Sequence, residues 1–152
     1  MYRFSMSEHM FIQGPVGQIE VFVDYPQGEV KGFAVVTHPH PLQGGTPQHK
    51  VPALLAQMFL ERSCIVYRPS FRGSGQSVGL HDEGHGETDD VLEVIKHARA
   101  AHIQLYRSMQ VVLVSVRMSW QNAMMLYKKK FDQNKPFYVV YQRQRSQVCA
   151  TM

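Results

Sequence analysis

The chain has 152 residues, of which 44% are hydrophobic and 18% charged, with a net charge of +4. This size and composition predict one domain that can bury a core of its own. No stretch approaches the roughly 18 apolar residues of a membrane span, and MYRFSMSEHM lacks the layout of a signal peptide, so we expect a cytoplasmic protein with no membrane partner.

The charge is unevenly distributed along the chain. Residues 1–116 carry nine Lys/Arg against eleven Asp/Glu, a net charge of −2, whereas residues 117–152 carry seven against one, a net charge of +6. A basic tail can bind nucleic acid or another anionic partner, or it can be a segment of different origin. We expect a solvated tail and regard nucleic acid as the less favoured partner. Cys64 and Cys149 show no CxxC spacing, which predicts reduced thiols.

Hydrophobic periodicity gives the order of the elements. Apolar and polar residues alternate on both sides of a Gly14–Gly17 turn, which is typical of an antiparallel edge, and later strands are short continuous apolar runs, as in sheets covered on both faces. One helix places Leu54, Leu55, Met58 and Phe59 at helical spacing, and Thr88 is the predicted cap of a second. We predict strands near residues 10–13, 18–25, 32–37, 64–70 and 111–116, and helices near 50–62 and 88–102.

Strands that alternate with helices of this length predict right-handed crossovers and a three-layer α/β domain with a mainly parallel sheet. The regular pattern ends near residue 116. Beyond it the chain contains KKK at 128–130 and QRQRSQ at 142–147, and FYVVY at 137–141 is the remaining candidate strand. We therefore divide the chain into an α/β part, residues 1–116, and a divergent basic tail, residues 117–152.

The densest polar segment follows the third predicted strand. It runs His38-Pro39-His40-Pro41-Leu42-Gln43-Gly44-Gly45, at the carboxyl end of a strand, where open α/β sheets bind ligands. Its prolines stiffen the backbone and its glycines permit close approach, so its N–H groups are candidates for an oxyanion hole. The alternative is a rigid turn whose histidines are hydrogen-bonded scaffolding.

A second loop follows the fourth strand and contains Arg72, Gly73, Gly75 and Ser77. Residues 75–79, GQSVG, match the GxSxG pattern of a serine nucleophile elbow, which requires a sharp turn from strand directly into helix. Several loop residues precede Ser77, and residues 81–87 separate it from the predicted helix. We therefore interpret Ser77 as a structural residue and not as the nucleophile.

Three segments together resemble a known group: HPHPLQGGTPQHK at 38–50, YRPSFRGSGQSVG at 67–79 and DEGHGETDD at 82–90. They resemble small bacterial α/β-hydrolase-fold proteins described as predicted serine hydrolases or esterases, over roughly residues 10–114. The resemblance implies that residues 38–45 are the oxyanion-side loop and that the loop at residues 71–79, which begins with Phe-Arg-Gly, lies beside the site. It also implies a small ester-type substrate for an intact relative and no cofactor.

In that group a G-F-S-F-G elbow follows the fifth strand, where this chain reads VVLVSVRMSWQ. Ser115 has no nearby glycine, and its β-branched neighbours Val114 and Val116 resist the strained turn of an elbow. The later acid and histidine of the group would lie on elements that 152 residues do not accommodate. We therefore expect a C-terminally incomplete fold without serine-hydrolase activity, whose fifth strand is a bare apolar edge prone to self-association.

A reading-frame shift near the fifth strand is one hypothesis for this departure. Codons for residues 111–122 and the first two bases of the Ala123 codon can be chosen so that a frame starting two bases in reads GFSFGPYVLAKR, an elbow followed by a plausible helix. The hidden motif falls where the resemblance requires it, and the visible sequence turns basic at the same point. A genuine divergent tail is the rival explanation.

Histidines raise the further alternative of a metal site. His38-x-His40 and His81-Asp82-x-x-His85 offer imidazole and carboxylate groups of the kind that bind zinc. HDEGH is not HExxH, however, and no fixed spacing connects the two clusters. We expect no metal.

Overall fold

The computed structural model describes residues 6–38, 42, 44–103, 110–115, 137–142 and 148–149. The strands are β1 (Met6–Gln13), β2 (Gln18–Tyr25), β3 (Gly32–Val36), β4 (Cys64–Pro69), β5 (Gln110–Ser115), β6 (Phe137–Gln142) and β7 (Val148–Cys149). The helices are α1 (Lys50–Leu60) and α2 (His85–Ala101). All the strands form one sheet in the order β1-β2-β4-β3-β5-β6-β7.

The centre of the sheet is parallel, as predicted. β4, β3, β5 and β6 run in the same direction, while β1, β2 and β7 pair in antiparallel fashion at the two sides. The pairing places β3 between β4 and β5, although β4 follows β3 in sequence. Because β3 and β4 are parallel neighbours, the loops that follow them lie at the same edge of the sheet.

The two helices cover opposite faces of the sheet, which confirms the three-layer arrangement. Phe33 and Val35 of β3 pack in a cluster with Val91 and Ile95 of α2. Ala34 and Val36, which alternate with them, cluster instead with Ala56 of α1. Side chains alternate across a strand, so a continuous apolar run such as β3 supplies both layers of the core.

The fully buried residues of α1 have small side chains. Leu54 and Met58 are 46% and 41% exposed, whereas Pro52, Ala53 and Ala56 are the buried residues. Small side chains let the helix axis approach the valines of β3 and β4 closely. The spacing predicted the helix correctly, and Leu55 and Phe59 are partly buried against the same cluster as Ala56.

β1 is longer than predicted, because it begins at Met6 and not near residue 10. Met6 pairs with Tyr25, so β1 pairs with β2 along its whole length. Residues 6–9 carry mixed polar and apolar side chains, and they form strand because β2 offers an edge to pair with. The remaining strand boundaries fall within one residue of the predicted ones.

α2 begins at His85, so the prediction of a start at Thr88 with Thr88 as the cap was wrong. The residue before the helix is Gly84, at a left-handed φ of 95°. The Glu87 carboxylate accepts a hydrogen bond from the Gly84 N–H at 2.9 Å, and the Thr88 hydroxyl donates to the Gly84 carbonyl from within the first turn. A carboxylate at this end of the helix also complements its dipole.

The expectation of a bare fifth strand was also wrong, because β5 pairs with β6 from Val111 to Ser115. The predicted strand at residues 137–141 is therefore present, and both β6 and β7 come from the basic tail. The edges of the sheet are β1 and β7. Self-association of the chain remains a prediction, but an exposed β5 is no longer a reason for it.

Candidate functional site

The loops predicted to be functional lie together at the carboxyl edge of the parallel strands. β3 and β4 are neighbours with Val35 opposite Tyr67, and β3 and β5 are neighbours with Val36 opposite Val114. His38 therefore follows β3 beside the loop after β4, and Ser115 is the last residue of β5. This is the edge at which open α/β sheets bind ligands.

The oxyanion-side loop starts from a buried histidine. His38 is 1% exposed, its Nε2 accepts a hydrogen bond from the Phe71 backbone N–H at 2.9 Å, and the two rings lie 4.5 Å apart. Gly44 has a φ of 77° with open space where a Cβ would lie, so it is needed for backbone conformation. Gly45 is buried. Pro39, His40 and Pro41 lie outside the described residues, so the oxyanion hole remains a prediction.

The loop after β4, residues 70–79, is attached to β2 through a buried glutamate. The Glu20 carboxylate accepts hydrogen bonds from the Ser70 hydroxyl at 2.7 Å and the Gln76 N–H at 3.0 Å. His9 Nε2 lies 3.0 Å from its other oxygen. Burial alone would raise the pKa of the Glu20 carboxyl, but these hydrogen bonds outweigh burial and its pKa lies below the ordinary value.

Ser77 is fully engaged in this attachment. It is 8% exposed; its hydroxyl donates to the Ser70 carbonyl at 2.7 Å and accepts from the Glu20 N–H at 2.9 Å. The next regular element starts eight residues later, at His85. A nucleophile elbow presents its serine at the start of a helix, so these contacts favour the interpretation of Ser77 as a structural residue.

The glycines of the GxSxG match are explained by the protein's own side chains. A Cβ at Gly75 would lie 2.1 Å from Glu20 Oε2, and its φ is 54°. Gly79, with a φ of 113°, leaves room for Val16, and Gly17 leaves room for Val78 in the same way. The β1–β2 turn and the loop therefore interlock through two valine–glycine contacts. Gly73, at a φ of 76°, is also left-handed.

Arg72 connects this loop to α2. Its Nε donates to Asp90 Oδ2 at 2.8 Å and its Nη2 to Oδ1 at 2.7 Å, a two-bond ion pair. The hydrogen bonds to Asp90 raise the pKa of Arg72 above its ordinary value. A Cβ at Gly86 would lie 2.0 Å from Arg72 Nη1, so only glycine lets the helix approach the guanidinium. We call Arg72, Gly86 and Asp90 the arginine clamp.

The acidic segment before α2 is used to start the helix. Asp82 Oδ2 accepts from the Gly86 N–H at 3.1 Å, and Glu87 accepts from the Asp82 N–H at 2.8 Å. His81 Nδ1 lies 2.8 Å from the same Glu87 carboxylate. His85, the second histidine of the possible zinc pattern, is an exposed residue in the first turn. Within the described part of the chain, no three His, Cys, Asp or Glu side chains gather into a metal site.

Ser115 ends β5 in strand conformation, opposite Tyr141 of β6. The structure thus continues the strand up to and including this serine, whereas an elbow turns sharply at its serine. The residues that follow, from 116 to 136, lie outside the described part.

Sequence reasoning missed the buried charges of β2. Asp24 is 0% exposed and accepts two hydrogen bonds from Arg68 of β4, at 2.7 and 3.1 Å. Arg68 Nη1 also donates to the Pro47 carbonyl at 2.8 Å, a contact that holds the chain two residues after the oxyanion-side loop. The signal available was the alternation of Glu20, Phe22 and Asp24 on one face of β2, opposite Val21 and Val23.

A pocket of about 320 Å³ lies at the other end of the sheet. It is bounded by the turn after β2 and the carboxyl end of α1, and its lining residues are Tyr25, Pro26, Gln27, Gln57, Leu60, Glu61 and Ser63. Because Ser63 immediately precedes β4, this pocket is separated from the candidate site by the length of that strand.

Neither of the described helices is long and apolar enough to cross a membrane. No protein-family model matches the sequence. An uncharacterized protein of Rickettsia prowazekii is 35% identical over 81 residues, which are 53% of this chain and 34% of that protein. The chain thus spans about a third of the length of the curated relative that it matches.

Two solved structures show the fold. An α/β serine hydrolase without a lid from Xanthomonas campestris is 26% identical with a TM-score of 0.70, and the match covers 93% of this chain and 73% of that one. An α/β serine hydrolase homologue from Coxiella burnetii is 28% identical with a TM-score of 0.68, covering 91% and 76%. The chain has an α/β-hydrolase fold, which confirms the resemblance found in residues 38–90.

Proposed function

We propose that this chain carries the scaffold of a serine hydrolase that acts on an ester or similar acyl bond, and that in its present form it does not turn over substrate. The observation that carries the proposal is the use of Ser77, the serine of the GxSxG match, in two buried hydrogen bonds. Likeness to α/β serine hydrolases supports the reaction class, hydrolysis by a serine enzyme. A cytoplasmic location is part of the same proposal.

Acyl transfer by such enzymes needs a nucleophilic serine, a histidine base oriented by an acid, and donors for the oxyanion. In this chain the His38–Gly45 loop is the proposed source of these donors. Ser77 cannot attack a substrate without breaking its bonds to β2 and to the loop. Ser115, between Val114 and Val116, lacks the glycines that let an elbow form.

A reading-frame shift near the fifth strand is our proposed cause of the missing elbow. It accounts for both the absent motif and the change in charge from −2 to +6 at the same point. Sequencing the DNA across codons 105–125 and beyond the stop, with translation of all forward frames, tests it. A frame that continues as GFSFG with a later acid and histidine supports the shift, whereas absence of such a frame makes the tail genuine.

Covalent labelling with a fluorophosphonate probe tests the lack of turnover. We expect no labelling of the 152-residue chain, and labelling of a version in which the frame is restored. Ser77→Ala and Ser115→Ala variants identify the serine if the chain is labelled. Efficient labelling that either substitution abolishes would refute the proposed inactivity.

The basic tail supports a second candidate, a binding protein for nucleic acid or another polyanion. Seven basic residues against one acidic residue in 36 positions favour it, and such binding would weaken steeply with salt. Because β6 belongs to the sheet, replacing Lys128, Lys129 and Lys130 by Gln is a better test than deleting the tail. Salt-dependent binding that this triple variant loses would support the second candidate; binding that does not depend on salt or these lysines would exclude it.

A further inference from the structure

We propose that His38 is a positioning residue that joins the oxyanion-side loop to the loop after β4, and that its ring is held as the tautomer with the proton on Nδ1. The inference rests on the proposed function only in naming the His38–Gly45 segment as the oxyanion-side loop. The contacts that carry it lie entirely within described residues.

The tautomer follows from the hydrogen bond to Phe71. A backbone N–H can only donate, and the Phe71 nitrogen lies 2.9 Å from His38 Nε2. Nε2 must therefore present its lone pair, and a neutral imidazole with a bare Nε2 carries its proton on Nδ1. With His38 1% exposed, water does not compete freely for this bond.

We call the hydrogen bond and the ring contact between His38 and Phe71 the joint. It connects two loops that the sheet places side by side. His38 lies two residues beyond the end of β3, Phe71 two residues beyond the end of β4, and the two strands are parallel neighbours. The rings of His38 and Phe71 also touch, with 4.5 Å between their centroids. The bond and the ring contact together fix where the oxyanion-side loop leaves the sheet.

The joint is connected to α2 through the residue that follows Phe71. Arg72, next to Phe71, is bonded to Asp90 of α2 through two hydrogen bonds. A continuous set of contacts thus runs from α2 through the arginine clamp to Phe71 and His38. It follows that α2 helps to set the position of the oxyanion-side loop, and that His38 Nε2 is not available as a general base or a metal ligand.

Long-range 1H–15N correlation spectra of the 15N-labelled full chain test the tautomer directly, with His38 assigned by the loss of its signals in His38→Gln. We expect a pyridine-like resonance for Nε2 and a pyrrole-like resonance for Nδ1. A pyrrole-like Nε2, or two protonated nitrogens, would overturn the proposal.

Two variants test the joint. In His38→Gln the side-chain carbonyl can still accept from Phe71, whereas His38→Leu keeps an apolar side chain without an acceptor. We expect hydrogen exchange of the Phe71 amide to accelerate at least about fivefold in His38→Leu and to stay within about twofold in His38→Gln. The same two changes at exposed His85 serve as controls and should leave that amide unaffected.

Equal acceleration in the Gln and Leu variants would show that only packing matters and would overturn the proposal. If His38→Leu does not fold, the spectrum of the unmodified chain decides alone. Neither readout involves a nucleophile. A fluorophosphonate result that refutes the proposed inactivity therefore leaves the tautomer result intact, and the reverse holds as well.

Discussion

Asp90→Ala gives the sharpest test of how the loop beside the site is held. The substitution removes both acceptors of the Arg72 guanidinium, in a pair whose residues are 7% and 3% exposed. Breaking a buried pair on one side costs about 3–5 kcal/mol, because the remaining charge is left uncompensated. At about 2–4 °C per kcal/mol for a chain of this size, we expect the melting temperature to fall by about 6–20 °C.

Thermal unfolding followed by circular dichroism measures this loss, and the neighbouring exposed Asp89 provides the matched control. Asp89→Ala should change the free energy of unfolding by about 0.5 kcal/mol or less. An Arg72→Met/Asp90→Leu double variant should recover most of the stability, since apolar replacement of a whole buried pair is often neutral. Equal melting temperatures for Asp90→Ala and Asp89→Ala would refute the argument.

Three other substitutions probe the remaining contacts. Gly86→Ala forces a Cβ to within 2.0 Å of Arg72 and should cost about 1–3 kcal/mol in urea unfolding; no loss would mean that the helix shifts freely. Ser77→Ala strands the Glu20 N–H and the Ser70 carbonyl, and should cost about 1–3 kcal/mol with no change in fluorophosphonate labelling. The folded-state pKa of Glu20 lies below the ordinary 4.5. The ionised carboxylate therefore contributes fully to the free energy of unfolding above pH 4.5, and this contribution is lost as the pH falls through the folded-state pKa. Glu20→Gln should therefore flatten the acid side of the stability profile, and an unchanged profile would contradict this.

The central strands could be predicted from the sequence because their signal is local. GFAVV, CIVYRP and QVVLVS are short, mainly apolar runs typical of a sheet covered on both faces, and the structure has them as β3, β4 and β5. The start of α2 could not be predicted in the same way. Gly84 and Gly86 are poor helix residues. Gly84 supplies a left-handed φ of 95° before the helix, and Gly86 makes room for the Arg72 guanidinium from another loop.

The location of the candidate site was predictable, but its internal contacts were not. Residues 38–45 and 70–79 follow buried strands, which is enough to place them at one sheet edge. Glu20, by contrast, holds a loop 56 residues away in sequence, and Asp24 pairs with a residue 44 positions away. A single sequence carries no local sign of such partners, so the role of Gly75, which makes room for the Glu20 carboxylate, could not be predicted.

The described partners of the loop after β4 all lie between Val16 and Asp90, and none of these contacts requires a catalytic nucleophile or base. Natural selection for folding alone is therefore sufficient to preserve its Arg, Gly and Ser pattern over generations. Gene families that lose their chemistry should retain this signature as long as they retain the sheet. A database search that scores the signature as evidence of turnover would then count such descendants as enzymes.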